Sequence, residues 1–174
     1  MKKIFFIGAF IAGIALQAQV STTRINDIKI GAKKSEIEKI IGKKVNVKLN
    51  EYGYSDTPTS IVYKGMVYEV YFTPGYDENG NELKDLVSTT ITANHSSLKT
   101  LSGITIGSSL NDLVDKYKDY NIKIYDGYDE KTEQRSKKLR YFEIDDYDAG
   151  TSLTFKLVNG KVTEFTVSNV GEGC

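Results

Sequence analysis

The 174-residue chain holds one cysteine and one histidine, and its charges cancel, with 23 basic against 23 acidic residues. With Cys174 alone there is no partner for an intrachain disulfide. With His95 alone there is no histidine–cysteine cluster of the kind that holds zinc. No Gly-x-Ser-x-Gly elbow surrounds any serine. The charge balance lacks the concentrated basic patch that nucleic acid demands, and it equally argues against a membrane-surface module. Long apolar runs are missing too. Ile4–Leu16 spans 13 residues, short of the ~20 needed to cross a hydrocarbon core as a helix.

That short run has another use. Lys2 and Lys3 precede it and Ala18 follows, the order of a secretory signal peptide over residues 1–18. Cleavage after Ala18 is expected to leave a soluble monomer, secreted or periplasmic, without stable membrane insertion. Once Lys2 and Lys3 are removed, the acidic residues outnumber the basic ones by two. A mature chain of roughly 155 residues buries roughly 70% of its unfolded surface and needs no covalent help. Gly171–Cys174 reads as a frayed tail.

What the chain does contain is a repeat. Ile28-Lys29-Ile30-Gly31 opens a helical stretch with Ile37, Ile40 and Ile41, and Ile104-Thr105-Ile106-Gly107 opens another with Leu110, Leu113, Val114 and Tyr117. Ser35 with Glu38 and Ser109 with Asp112 have capping-box spacing. Helices this short need a larger surface to lean on. Alternation supplies it, predicting strands near Val45–Leu49, Ser60–Tyr63, Val67–Thr73 and Val87–Ala93 in the first unit. The second unit has Ile122–Asp126, Leu139–Ile144, Ser152–Val158 and Val162–Ser168. Asn159-Gly160 and Lys64-Gly65 read as hairpin turns. The expected fold is α+β: two tandem units, each a short helix on one face of a four-stranded antiparallel sheet. The units are residues 19–94 and 103–170, joined by a linker over 95–102. Period two turns Tyr68, Val70, Phe72, Leu153, Phe155 and Leu157 toward the helices. It leaves Glu69, Tyr71, Thr154, Lys156, Tyr125, Tyr141 and Glu143 on the open face.

The segment Ile104–Val114, its weaker copy Ile28–Ile41 and the closing ribbon Leu153–Val162 resemble the β-lactamase inhibitory protein family. In single copy they resemble the small outer-membrane-assembly lipoproteins of Gram-negative bacteria. The resemblance covers nearly all of the mature chain and implies a non-catalytic protein that binds another protein. Two features depart from it: the inhibitor's cysteine pairs are missing, and so is the lipoproteins' lipid-bearing cysteine. The inhibitor's contact loop has no matching stretch here, so no contact residues are carried over.

The residues offer little catalytic chemistry. His95 sits in the linker without an evident partner. Asp77, Asn79 and Asn81 match the first three ligand positions of an EF-hand, but Gly80 comes two places early and Ser88 stands where a bidentate glutamate belongs. Asp145-Asp146-Tyr147-Asp148 forms a second acidic loop, and Asp126/Asp129 or Glu143/Asp145 would supply carboxylate pairs. A small secreted enzyme or a calcium-dependent binder using these loops is the alternative reading. The leading expectation is a cofactor-free, non-catalytic binding protein, an enzyme inhibitor in its sharpest form. Twelve tyrosines and no tryptophan support it, because tyrosine combines a rigid apolar ring with a wet hydroxyl. The expected partner-binding residues are Tyr52, Tyr54, Tyr71, Tyr76, Tyr125, Tyr128, Tyr141 and Tyr147.

Overall fold

In the computed structural model, residues 19–129 and 132–170 are described. The expected signal peptide over 1–18 and the tail with Cys174 lie outside them. The element order is β1 (Val20–Ser21), β2 (Arg24–Ile25), β3 (Ile28–Lys29), α1 (Lys34–Ile41), β4 (Thr59–Tyr63), β5 (Met66–Tyr76) and β6 (Glu82–Ala93). It continues with α2 (Leu110–Tyr117), β7 (Ile122–Tyr128), β8 (Arg135–Asp146), β9 (Thr151–Val158) and β10 (Lys161–Asn169).

The repeat is real in three dimensions. Gly31 N–H donates to Ser88 O at 2.8 Å, and Ser88 N–H returns to Ala32 O at 3.0 Å. Gly107 N–H donates to Val162 O at 2.8 Å, and Val162 N–H returns to Ser108 O at 2.9 Å. Both glycines stand at positive φ, +76° and +91°, which turns the chain from the sheet's rim into its helix. β6 and β10 are therefore equivalent strands.

The expectation of two separate four-stranded sheets is wrong. The structure is mostly β, with a three-stranded sheet (β1-β2-β3) and one continuous seven-stranded antiparallel sheet, ordered β4-β5-β6-β10-β9-β8-β7. The cause lies in the edges. The last strand of each unit would present a row of unpaired N–H and C=O groups, and β6 and β10 satisfy each other instead, from Ser168↔Thr90 to Phe165↔Ala93. Moving Ser88 onto Val162 carries Thr92 onto Thr166, and these two residues are paired across the join with their hydroxyls 3.0 Å apart. A pseudo-two-fold axis thus passes between Thr92 and Thr166, and a single core serves both halves. That core includes Ile37, Tyr68, Val70, Phe72, Leu113, Phe142, Phe155 and Phe165.

The two halves differ in strand number, three against four. The segment Val45–Leu49, predicted as a strand, has no strand pairing. Glu38 explains its course: its carboxylate takes Lys34 Nζ at 2.7 Å, Lys44 Nζ at 2.8 Å and the Val45 backbone N–H at 2.9 Å. Glu38 is thus committed to pinning the chain after the helix, and it caps nothing. The first helix instead begins after Lys33, whose N–H donates to Glu36 Oε2 at 3.0 Å, so the capping pair stands two residues earlier than the serine spacing suggested. Ile40, placed on the apolar stripe by spacing, is exposed. In the second unit Ser109 and Asp112 do form the reciprocal box, at 3.2 Å and 2.6 Å.

Its two lysines, led by Lys34, hold the Glu38 carboxyl at about 2, below its ordinary 4.5. A carboxyl lowered on folding contributes stability that is complete above its ordinary pKa and is lost as the pH falls toward the folded value. The urea midpoint is expected to fall between about pH 6 and about pH 3, and to fall less in Glu38→Gln. Equal drops in the two proteins would remove Glu38 from the acid response.

Candidate functional site: a tyrosine and carboxylate strip on the open face

Alternation and register build this site. Directly opposite residues in an antiparallel pair share a face. β7 and β8 align Lys123 with Glu143 and Tyr125 with Tyr141, and β9 continues the rows with Thr154 and Lys156. Phe142 and Ile144 point into the core, which turns Tyr141, Glu143 and Asp145 outward.

The outward side chains join into one chain of contacts. The Tyr125 and Tyr141 rings stack at 5.4 Å with 27° between planes. Tyr125 OH donates to Glu143 Oε2 at 2.9 Å. Lys123 Nζ bridges Glu143 Oε1 at 3.2 Å and Asp145 Oδ2 at 2.8 Å. Tyr147 OH donates to the same Asp145 oxygen at 3.1 Å. Burial first, and then the Glu143 carboxylate, push the Tyr125 phenol up to about 12. Asp145 and Glu143 raise the Lys123 ammonium. Burial alone would raise the Asp145 carboxyl, but Lys123, Tyr147 and Glu143 outweigh it and hold it below its ordinary value. Each shift moves its group's titration away from pH 7. The strip is a fixed hydrogen-bonding surface with a rigid aromatic pair at one end.

Of the eight tyrosines expected to bind a partner, the structure brings Tyr125, Tyr141 and Tyr147 together. Tyr128 lies farther along the same ribbon, its OH receiving Arg135 Nε at 3.4 Å beside the Arg140–Asp126 pair at 3.0 Å. Tyr71 occupies the same cross-sheet row as Asp145 through Thr90, Ser168 and Ser152. It stands four strands away, roughly 19 Å at the usual strand spacing. Tyr52 and Tyr54 sit on a turn closed by Asn50 Oδ1, which accepts their N–H groups at 2.9 and 3.0 Å. Tyr76 ends β5, exposed. These last four do not join the strip.

Lys123 and Asp145 are what the tyrosine count missed; the period-two pattern through Ile122–Tyr125 and Leu139–Asp145 held the signal. The acidic loops resolve differently. Both Asp77 oxygens accept from their own loop, from Asn79 N–H, Asn81 N–H and Asn81 Nδ2. Lys123 occupies the space between Glu143 and Asp145, and Arg140 pairs with Asp126. Among the described residues, no group of three or more His, Cys, Asp or Glu is placed to hold a metal ion. His95 Nδ1 meets Ser97 Oγ at 2.8 Å within an exposed turn. Among the described residues, no helix is long and apolar enough to cross a membrane. Set against known proteins, the chain matches no protein-family model, no curated protein and no solved structure.

Proposed function

We propose that the protein is an exported, non-catalytic binding module that presents the open face of β7–β9 to another protein. An enzyme inhibitor is the sharpest form of this reading, in keeping with the resemblance of its repeats. The observation that carries it is the Tyr125–Tyr141 stack, anchored through Glu143 and left half open to solvent. Aromatic side chains held in place before binding supply contact area with little ordering cost, and such residues dominate interface energetics. The neighbouring Thr154, Lys156 and Glu143 provide the polar surround that interface rims favour.

The test immobilises the protein, exposes it to envelope extract and culture medium, and measures the affinity of any protein retained. Changing Tyr125 and Tyr141 together to alanine is expected to weaken that affinity at least about 30-fold. Tyr52→Ala, on the distant turn, is expected to change it little. A partner held equally by the double variant, whose melting is also unchanged, overturns the proposed surface. Failure to retain any protein counts against the binding reading itself.

A further inference from the structure

A cavity of about 580 Å³ opens where the β8–β9 turn meets the end of α2 and the first strand. That volume lies within the range of roughly 300–1,000 Å³ in which small-molecule sites fall. Its floor is apolar, made by the buried side chains of Val20, Ile144 and Leu153. Its walls carry three tyrosines, Tyr117, Tyr120 and Tyr147. Tyr117 and Tyr120 meet edge to face at 5.6 Å and 80°, forming an aromatic corner. The Tyr117 hydroxyl is tied to Thr100 Oγ1 at 3.0 Å, which fixes that corner.

The charge at the cavity has one sign. Asp145, Asp146 and Asp148 line it, and among the described residues no lysine, arginine or histidine does. Lys123 neutralises Asp145 through Oδ2 from the open face, while Asp145 Oδ1 is buried with no hydrogen-bond donor among the described residues. Asp146 is held by neutral donors, Thr22 Oγ1 at 2.8 Å and Ala149 N–H at 3.1 Å, and makes no ion pair among the described residues. Asp148 stands exposed on the rim. An apolar floor, an aromatic corner and carboxylates without counter-charge are the recognition chemistry of an organic cation. Ring faces attract the positive charge, the carboxylates complement it, and the floor takes the hydrocarbon body.

We infer that this cavity binds a small organic ammonium or guanidinium ion carried on a flat apolar body. The cavity shares Asp145 and Tyr147 with the far end of the strip but is not lined by Tyr125 or Tyr141, so the inference does not depend on the proposed protein partner.

The test titrates the purified protein with benzylamine, benzyl alcohol and benzoate, and follows backbone amide shifts by NMR. Benzylammonium is expected to give saturable shifts at Leu101, Tyr120 and Asp148. Benzyl alcohol is expected to bind about tenfold more weakly, and benzoate not measurably. Asp148→Asn, a change at an exposed side chain that leaves the core intact, is expected to weaken the cation severalfold and leave the alcohol unchanged. Tyr120→Ala should weaken both. Added salt should weaken the cation alone. Equal affinity for amine and alcohol, preference for benzoate, or shifts that never saturate would each overturn the inference. So would cation binding untouched by either substitution. The Tyr125/Tyr141 double variant is expected to bind benzylammonium normally, so failure of one site is distinguishable from failure of the other.

Discussion

Phe155→Ala is expected to lower the unfolding free energy by about 3–5 kcal/mol, the cost of truncating a fully buried aromatic ring. Phe155 is completely buried at the centre of a chain of rings: Tyr117 at 5.7 Å, Phe142 at 6.0 Å and Phe165 at 5.5 Å. These neighbours come from α2, β8 and β10, and the two strand partners are locked in register, Phe155 opposite Phe142 on one side and Phe165 on the other. Strands so held close poorly over a void, so the penalty belongs at the upper part of the range. Typical domains are stable by only about 5–15 kcal/mol; the variant should be marginal. Phe155→Leu, which leaves less empty space, should cost less. Equilibrium urea unfolding measures both. The joined sheet adds a second expectation: circular dichroism and tyrosine fluorescence should report one coincident transition, because both halves share a core. Two separated transitions in Phe155→Ala, with only the second half lost, would show that the β6–β10 join does not couple the units.

That join was the least legible part of the sequence. Period two told correctly which side chains of β5 and β9 are buried, since Tyr68, Val70, Phe72, Leu153, Phe155 and Leu157 lie in the core. The Asn159-Gly160 and Lys64-Gly65 turns hold positive φ at both residues of each pair, as local turn chemistry demands. Gly31 and Gly107 marked the start of each helix. Pairing between β6 and β10 is a contact between distant segments, and no local pattern encodes which edge will meet which. Val45–Leu49 shows the opposite failure: Val45, Val47 and Leu49 alternate, but Glu38 claims the Val45 N–H, and an alternating segment without a partner strand is no strand. β8 also begins four residues earlier than expected, at Arg135. Arg135 and Ser136 pair with Tyr128 and Gly127 at the end of β7, and Lys137 and Lys138 fall in the register shift, on a ribbon that has no core to face, so apolar alternation never appears there. The candidate strip was legible in part. Tyr125, Tyr141 and Glu143 were assigned to one face, while the bridge through Lys123 and Asp145 required the register. The cavity drew on no motif, because its lining comes from five separate stretches of chain.

Gly127→Val is expected to destabilise the β7–β8 ribbon by about 1–3 kcal/mol, the cost of forcing extra atoms into a packed site, and to abolish presentation of the tyrosine pair. A side chain at residue 127 would place its Cβ 2.5 Å from Leu139 Cγ, 2.7 Å from Leu139 Cδ2 and 3.0 Å from Tyr141 Cε2. Leu139 Cγ sits near its own backbone and has little room to give. Gly127 also follows the register shift between Asp126 and Gly127, where Asp126 faces Arg140 but Gly127 faces Ser136. Leu139 and Tyr141 lie against the open side of the glycine at this irregularity, and Tyr141 also stacks on Tyr125, its direct cross-strand partner. The glycine therefore leaves the space that Leu139 and the Tyr141 ring occupy beside the bulge. A double-mutant cycle separates this steric account from a general loss of strand quality. Leu139→Ala removes the nearest atoms, so Gly127→Val should cost markedly less in that background. Urea midpoints give the coupling, and the ring-proton shifts of Tyr125 and Tyr141 report whether the stack survives. Equal costs in both backgrounds, with unchanged ring shifts, would show that Leu139 and Tyr141 do not depend on the absent side chain.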